Sequence, residues 1–144
     1  MINCLYVKDS VITNILKTLG NALPEAGGIL GGKGKNVECF YYDASPCCCS
    51  ATTYSPNTEV LNYVINNVWE KKEIRFMGFV HSHINNSDIS EEDVEYMQTI
   101  LNSNKLSKLI LCIADYNYLE KRVSSLRWYV IELHRWYPVN VIKV

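Results

Sequence analysis

The sequence predicts an α/β fold in which helices flank a mixed β-sheet. Three observations support this prediction: three segments carry apolar residues at helical spacing, short apolar runs of strand length lie between them, and glycine-rich or polar stretches separate the elements. At 144 residues the chain is most simply one domain, 1–144. A domain of this size buries roughly 70% of the surface that its unfolded chain exposes, which is enough for a proper core.

The predicted elements alternate in a way that is typical of an α/β sandwich. In chain order they are a helix over 8–23, strands over 27–32, 37–42 and 49–54, a helix over 57–71, a strand over 74–80, a helix over 90–103 and strands over 109–114 and 126–133.

In the first half, Val11, Ile15 and Leu19 form one helical face, and Asp9 or Ser10 is suited to cap it. The next strand is short, apolar and bounded by glycine pairs, and a Lys-Gly-Lys-Asn turn leads into its neighbour. In the second half, one apolar stripe defines the helix over 57–71, and a turn is predicted over 115–117 between the last two strands.

Composition excludes several classes of partner. A net charge of −1 gives no reason to expect nucleic acid or an anionic membrane. No apolar run approaches the ~20 residues of a membrane span. The N-terminus lacks the pattern of a signal peptide, so a cytoplasmic location is expected. The oligomeric state is not predicted.

Six cysteines are expected to be free thiols in that compartment: Cys4, Cys39, Cys47, Cys48, Cys49 and Cys112. The run at 47–49 follows a proline, as in cytidine deaminases, whose zinc site pairs His-x-Glu with Pro-Cys-x-x-Cys. Here Ser50 replaces the last cysteine and the histidine motif is His-Ser-His. A turn or edge strand is therefore favoured over a ligand cluster, and a cysteine nucleophile lacks an evident histidine partner.

Two histidines, His81 and His83, follow the apolar run over 74–80. Alternate residues of a strand share one face, so both imidazoles can point to one side of the sheet. Asp93, ten residues later in the first turn of a predicted helix, can approach the same point. Two imidazoles and one carboxylate make a three-ligand zinc site with the fourth position open for water.

Structural explanations compete with this interpretation. Ser90 is suited to the N-cap of its helix, and Asp93 can complete a capping box with it. The histidines alone could be ordinary strand-end residues. The conjunction favours the site, because the ligands begin where the strand ends and the carboxylate follows at the start of the next helix.

Glu25 precedes the glycine-rich strand, where an acidic side chain could simply face solvent. If that strand lies beside the one that ends at His81, Glu25 can reach the zinc-bound water. A carboxylate beside that water, but not bound to the metal, is suited to general acid/base catalysis.

These residues resemble the JAMM motif of the MPN-domain metalloproteases: Glu25 before a glycine-rich strand, His81-x-His83 and Ser90-x-x-Asp93. The resemblance implies a mixed sheet flanked by helices with a cytidine-deaminase-like architecture. It also implies that both histidines and the aspartate bind Zn²⁺, that Glu25 is the general acid/base, and that Ser90 stabilises the oxyanion. The chain departs from the family in having six residues rather than seven before the serine, and Ile84 in place of proline.

The expected function is that of a zinc metallopeptidase or isopeptidase. By similarity, its substrate would be the C-terminal tail of a ubiquitin-like or sulfur-carrier protein, which Tyr54, Asn85 and Asn86 are placed to contact. A peptidase acting on cell-wall or phage-tail peptides is an alternative within the same chemistry. A non-catalytic MPN-like interaction module is the alternative from another class, and its candidate interface is an aromatic cluster of Trp128, Tyr129, Trp136 and Tyr137.

Overall fold

A computed structural model shows one mixed eight-stranded sheet with helices on both faces. The structure describes residues 1–22, 24–46, 48–50, 53–84 and 88–144, of which 48–50 and 53 by their backbone alone. The strands are β1 (Cys4–Val7), β2 (Gly27–Lys33), β3 (Asn36–Tyr42), β4 (Cys48–Ser50), β5 (Thr53–Ser55), β6 (Arg75–Ile84), β7 (Lys108–Asn117), β8 (Arg122–Glu132), β9 (Trp136–Pro138) and β10 (Asn140–Lys143). The helices are α1 (Asp9–Gly20), α2 (Thr58–Tyr63) and α3 (Glu91–Asn104), and α2 continues as a π-helical turn, Val64–Trp69, and a 3₁₀ turn, Glu70–Lys72.

The sheet order is β10-β1-β3-β2-β6-β7-β8-β9, and β4 and β5 form a separate hairpin. The central pair, β6 and β7, is parallel because α3 connects them, whereas β2 runs antiparallel to β6. Gly27 of β2 pairs with His81 of β6. The expected proximity of these two strands is therefore confirmed.

Each face of the sheet has its own hydrophobic core. The first lies under α1, whose buried residues Val11, Ile15 and Leu19 match the predicted stripe. The second lies under the π-helical turn and α3, where Trp69, Met97 and Leu101 pack on the sheet. Because side chains alternate along a strand, Phe79 of β6 faces the second core and Val80 the first.

Gly78 allows β6 and β7 to approach closely at the centre of the sheet. Its φ of 154° is rarely adopted by residues that carry a side chain, and a Cβ there would collide with the backbone of Ile110. Glycine at this position therefore helps to set the path of the strand that carries both histidines.

The structure corrects several predicted boundaries. Strand β6 continues through Ile84, so the histidines lie within the strand and not after it. The turn expected over 115–117 is wrong, since β7 extends to Asn117 and the chain turns after it. Strands β1, β9 and β10 were not predicted. Among the described residues, no helix is long and apolar enough to cross a membrane.

Candidate metal centre

The two histidines lie on the face of β6 that packs towards α3. Both are about 5% exposed, and their ring centroids are 4.6 Å apart. Ser82, between them, points to the opposite face. The strand therefore delivers two neighbouring imidazoles to one buried point.

Asp93 reaches both imidazoles from the first turn of α3. Its Oδ1 lies 3.3 Å from Nε2 of His81, and its Oδ2 lies 3.3 Å from Nε2 of His83. The Ser90 hydroxyl accepts a hydrogen bond from the Asp93 N–H at 3.1 Å, and Asp93 Oδ2 accepts one from the Ser90 N–H at 3.4 Å. The capping box predicted as the structural alternative is thus present, and it orients the carboxylate towards the histidines.

Glu25 approaches His81 from the other side of the ring. Its Oε1 lies 3.5 Å from His81 Nδ1. The next residue, Ala26, is fixed to β6 because its N–H donates to Ser82 Oγ at 3.0 Å and its carbonyl accepts from the Ser82 N–H at 2.8 Å. The middle residue of His-Ser-His therefore positions Glu25. Sequence patterns did not identify this role, although a buried serine on the far face of a strand needs a partner.

The charges in the cluster favour a cation. Burial would raise the pKa of Asp93, but the two imidazoles lower it well below its usual range. Burial would lower the pKa of His81, but Asp93 and then Glu25 raise it to about 9. The surroundings of His81 therefore favour a positive charge at this point, and a metal that binds there competes with a proton for the imidazole.

The donor set and its spacing fit a divalent metal. Potential ligand atoms of Glu25, His81 and His83 all lie within 4.8 Å of one another. Two ligands about 2.1 Å from a tetrahedral ion are about 3.4 Å apart, which is close to the separation of Asp93 from each histidine. The His81 nitrogen placed to bind this metal is Nε2, which faces Asp93, whereas Nδ1 is buried and faces Glu25. A mixed set of nitrogen and oxygen donors is a set that zinc accepts.

Tyr54 of β5 covers this cluster. Its ring stacks on His81, with centroids 6.2 Å apart, and it has room because a Cβ at Gly27 would lie only 2.8 Å from it. Its hydroxyl donates to Asp43 at 2.9 Å. Burial and the charge of Asp43 raise the pKa of Tyr54, so the hydroxyl remains a donor. The other expected substrate contacts, Asn85 and Asn86, lie outside the described residues.

A second charge cluster, centred on the buried Asp115, lies beside the first and was missed by sequence patterns. Asp115 of β7, which is opposite His83 in the sheet, accepts two hydrogen bonds from Arg127 and one from Ser125. Arg127 also lies 3.6 Å from Asp88, just before α3. An aspartate in an otherwise apolar strand was the available signal, since a buried carboxylate requires a partner.

Comparison with known proteins identifies solved structures that share the fold of this chain. No protein-family model matches the chain, and no curated protein matches its sequence. The structure is similar to that of protein DSY2949 from Desulfitobacterium hafniense, with a TM-score of 0.72, 21% identity, and coverage of 97% of this chain and 92% of that one. It is also similar to AF2198, a JAB1/MPN domain protein from Archaeoglobus fulgidus, with a TM-score of 0.53, 15% identity, and coverage of 96% and 98%. The fold is MPN-like.

At these identities the likeness establishes the architecture alone. It confirms the predicted α/β class with a mixed sheet and flanking helices. The roles of individual residues depend on the geometry of this chain, in which four of the predicted site residues lie around the two buried imidazoles and the fifth, Ser90, is exposed and contacts Asp93.

Proposed function

We propose that the protein is a zinc-dependent metallopeptidase of the JAMM type. The observation that carries this proposal is the buried cluster of two imidazoles and two carboxylates, in which Asp93 lies 3.3 Å from each histidine. In the proposed site His81, His83 and Asp93 hold the metal, and Glu25 remains beside it as the catalytic carboxylate.

Zinc, when bound, would lower the pKa of a water molecule and polarise the scissile carbonyl. Glu25 would accept the proton of the attacking water and return it to the departing amine. Ser90 would donate a hydrogen bond to the developing oxyanion. Its cap role is compatible with this, because the hydroxyl oxygen accepts from the Asp93 N–H and the hydroxyl proton remains available as a donor.

The proposed substrate is a protein tail, namely the C-terminal segment of a ubiquitin-like or sulfur-carrier protein or an isopeptide joined to one. This part of the proposal is supported by the resemblance of the motifs to the JAMM family. Extended tails commonly bind by adding a strand to a sheet edge. Cell-wall and phage-tail peptides are the competing substrates for the same chemistry.

The non-catalytic alternative gains little from the structure. Trp128 of its candidate interface is buried whereas Trp136 is exposed, so the aromatic cluster is not a continuous surface patch. Tyr137 is engaged within the fold, where its hydroxyl accepts a hydrogen bond from the Ile2 N–H.

A cytoplasmic location remains a prediction. Cys4, Cys39 and Cys112, the cysteines with described side chains, are free thiols.

The test separates metal binding from catalysis. Bound zinc is measured in the wild type, His83→Ala and Asp93→Ala, with His134→Ala as the matched control because His134 is exposed. We expect one zinc per chain in the wild type and control, and loss of zinc in the other two. Glu25→Gln is expected to keep zinc and to lose at least 100-fold in hydrolysis of a ubiquitin-like tail. Zinc occupancy that is indifferent to both ligand changes would overturn the site, and full activity of Glu25→Gln would overturn the mechanism.

A further inference from the structure

A recess opens between the β4–β5 hairpin and α3, next to the histidine cluster. Its floor consists of Phe79, Met97 and Leu111, all of which are buried. Tyr54 and Tyr96 also line it; Tyr96 lies at the surface, and its ring leans against Phe79 with centroids 5.8 Å apart. None of the three floor residues has a role in the proposed reaction, whereas the lining also includes two of the proposed metal ligands.

The recess reaches the proposed reaction centre. His81 and Asp93 form part of its wall, so a group bound in it would be adjacent to the metal position. A substrate whose amide is cleaved at the metal must therefore place a neighbouring side chain at or in this opening.

We propose that the recess is a specificity subsite that takes a small apolar side chain beside the scissile amide. This inference rests on the proposed peptidase function and narrows its substrate class. The space is about 30 Å³. Since a water-sized group needs about 10–15 Å³, the recess accommodates two or three such groups, so the single methyl group of alanine fits with room to spare and the three carbons of valine fill it.

The chemistry of the floor selects against polar side chains. The floor residues offer no strong hydrogen-bonding side-chain groups. The Tyr54 hydroxyl is directed away, since it donates to Asp43 at 2.9 Å, and Tyr54 therefore presents its ring. A polar group that reaches the floor would lose its hydration without gaining partners there, because the polar wall residues, His81 and Asp93, are the proposed metal ligands.

The first test compares tail peptides that differ only in the residues flanking the cleaved amide. At the position that enters the recess, alanine is expected to exceed glycine in kcat/KM by about four-fold, which is the value of one buried methyl group. Valine is expected to be cut at least as well as alanine, and serine, leucine and phenylalanine about ten-fold less well. Equal cleavage of the alanine and phenylalanine peptides would overturn the subsite.

The second test changes the entrance. Tyr96→Ala is expected to raise kcat/KM for the leucine peptide about ten-fold relative to the alanine peptide, because it removes one wall. Tyr63→Ala is the matched control, since Tyr63 is an exposed helical tyrosine outside the recess. The Tyr63→Ala variant is expected to have the same ratio of kcat/KM for the leucine and alanine peptides as the wild type. An equal change of this ratio in the Tyr96→Ala and Tyr63→Ala variants would overturn the assignment of the recess as a subsite.

The third test measures binding of a peptide in the recess without relying on catalysis. The chain has three methionines, so methyl-labelled methionine gives three NMR signals, and Met97→Leu assigns the one at the floor. In metal-free protein the alanine peptide is expected to shift the Met97 signal and not that of Met77, which packs on the other face. Zinc-dependent hydrolysis with an unperturbed Met97 would overturn the subsite alone. A shifted Met97 without any hydrolysis would support the subsite and overturn the proposed reaction.

Discussion

Two clusters, one around the buried Asp115 and one around the partly buried Asp93, lie side by side in this protein, and their carboxylates have different kinds of partner. Asp115 accepts two hydrogen bonds from Arg127, at 2.7 and 2.8 Å, and a third from Ser125 at 2.8 Å. Asp93 faces two imidazoles at 3.3 Å each. The distances around Asp115 are those of strong hydrogen bonds, whereas the distances around Asp93 match those between two ligands of one metal ion.

The difference distinguishes a structural ion pair from a metal site. A guanidinium is permanently charged and binds a carboxylate in a bidentate contact, so Arg127 balances the negative charge of Asp115 without an external ion. Histidines exchange their protons readily and can ligate a metal when neutral. The cluster around Asp93 is therefore the one that an external cation can complete.

The largest expected effect comes from breaking the structural pair. Arg127→Met leaves Asp115 buried without its cation, and we expect the free energy of unfolding to fall by about 3–5 kcal/mol. Urea denaturation measures this change. Zinc occupancy of the folded fraction is expected to stay at one per chain.

Arg122→Met is the control, because Arg122 pairs with Glu120 at the exposed surface and should contribute less than about 1 kcal/mol. The double variant Asp115→Asn with Arg127→Met is expected to be more stable than Arg127→Met alone. If the double variant is no better, the loss does not come from an unpaired carboxylate.

Zinc should stabilise the protein only by binding at the cluster around Asp93. At a free zinc concentration of about 100 times Kd, the free energy of unfolding is expected to rise by about 2.7 kcal/mol. His83→Ala is expected to abolish this gain, whereas Arg127→Met is expected to retain it in spite of its lower stability. Parallel denaturation series with zinc and with a chelator measure both, and a zinc gain that survives His83→Ala would contradict the distinction between the clusters.

The Asp93 cluster could be predicted because its signals are local. Two histidines at strand spacing and an aspartate at the start of the next helix are separated by few residues, and the helix cap has its own signature. The contribution of Glu25 depends on the pairing of Gly27 with His81 across the sheet. From the sequence, this pairing could only be assumed, because the two strands are far apart along the chain and their register is set by the tertiary fold.

The Asp115 cluster could not be predicted for the same physical reason. Its partner Arg127 lies on the adjacent strand, and the register that joins them is a tertiary property. The sequence around Asp115 favours a turn, but the ion pair allows β7 to continue through it. Strands such as β9 and β10 are three and four residues long and depend on pairing with neighbours, so they have weak patterns of their own.

A smaller effect is expected from the serine that positions Glu25. Ser82→Ala leaves the buried N–H of Ala26 without its partner, which should cost about 1–3 kcal/mol of stability. Zinc occupancy should persist while hydrolysis falls, because Glu25 loses its orientation. Ser103→Ala on the exposed surface of α3 is the control. A loss of zinc from Ser82→Ala would place the serine in support of the ligands, and not of Glu25.

The smallest stability effect is expected at Ser90, where the cap and the proposed oxyanion contact can be separated. Ser90→Ala removes the cap of α3 and should cost about 1 kcal/mol, whereas Ser90→Gly should cost only a few tenths, because glycine is tolerated at N-caps. Both variants lack the hydroxyl donor, so both are expected to lose about 100-fold or more in kcat. Urea denaturation and steady-state kinetics of the two variants measure this. If kcat follows stability, so that the glycine variant is nearly as active as the wild type, Ser90 acts only by holding Asp93 in place.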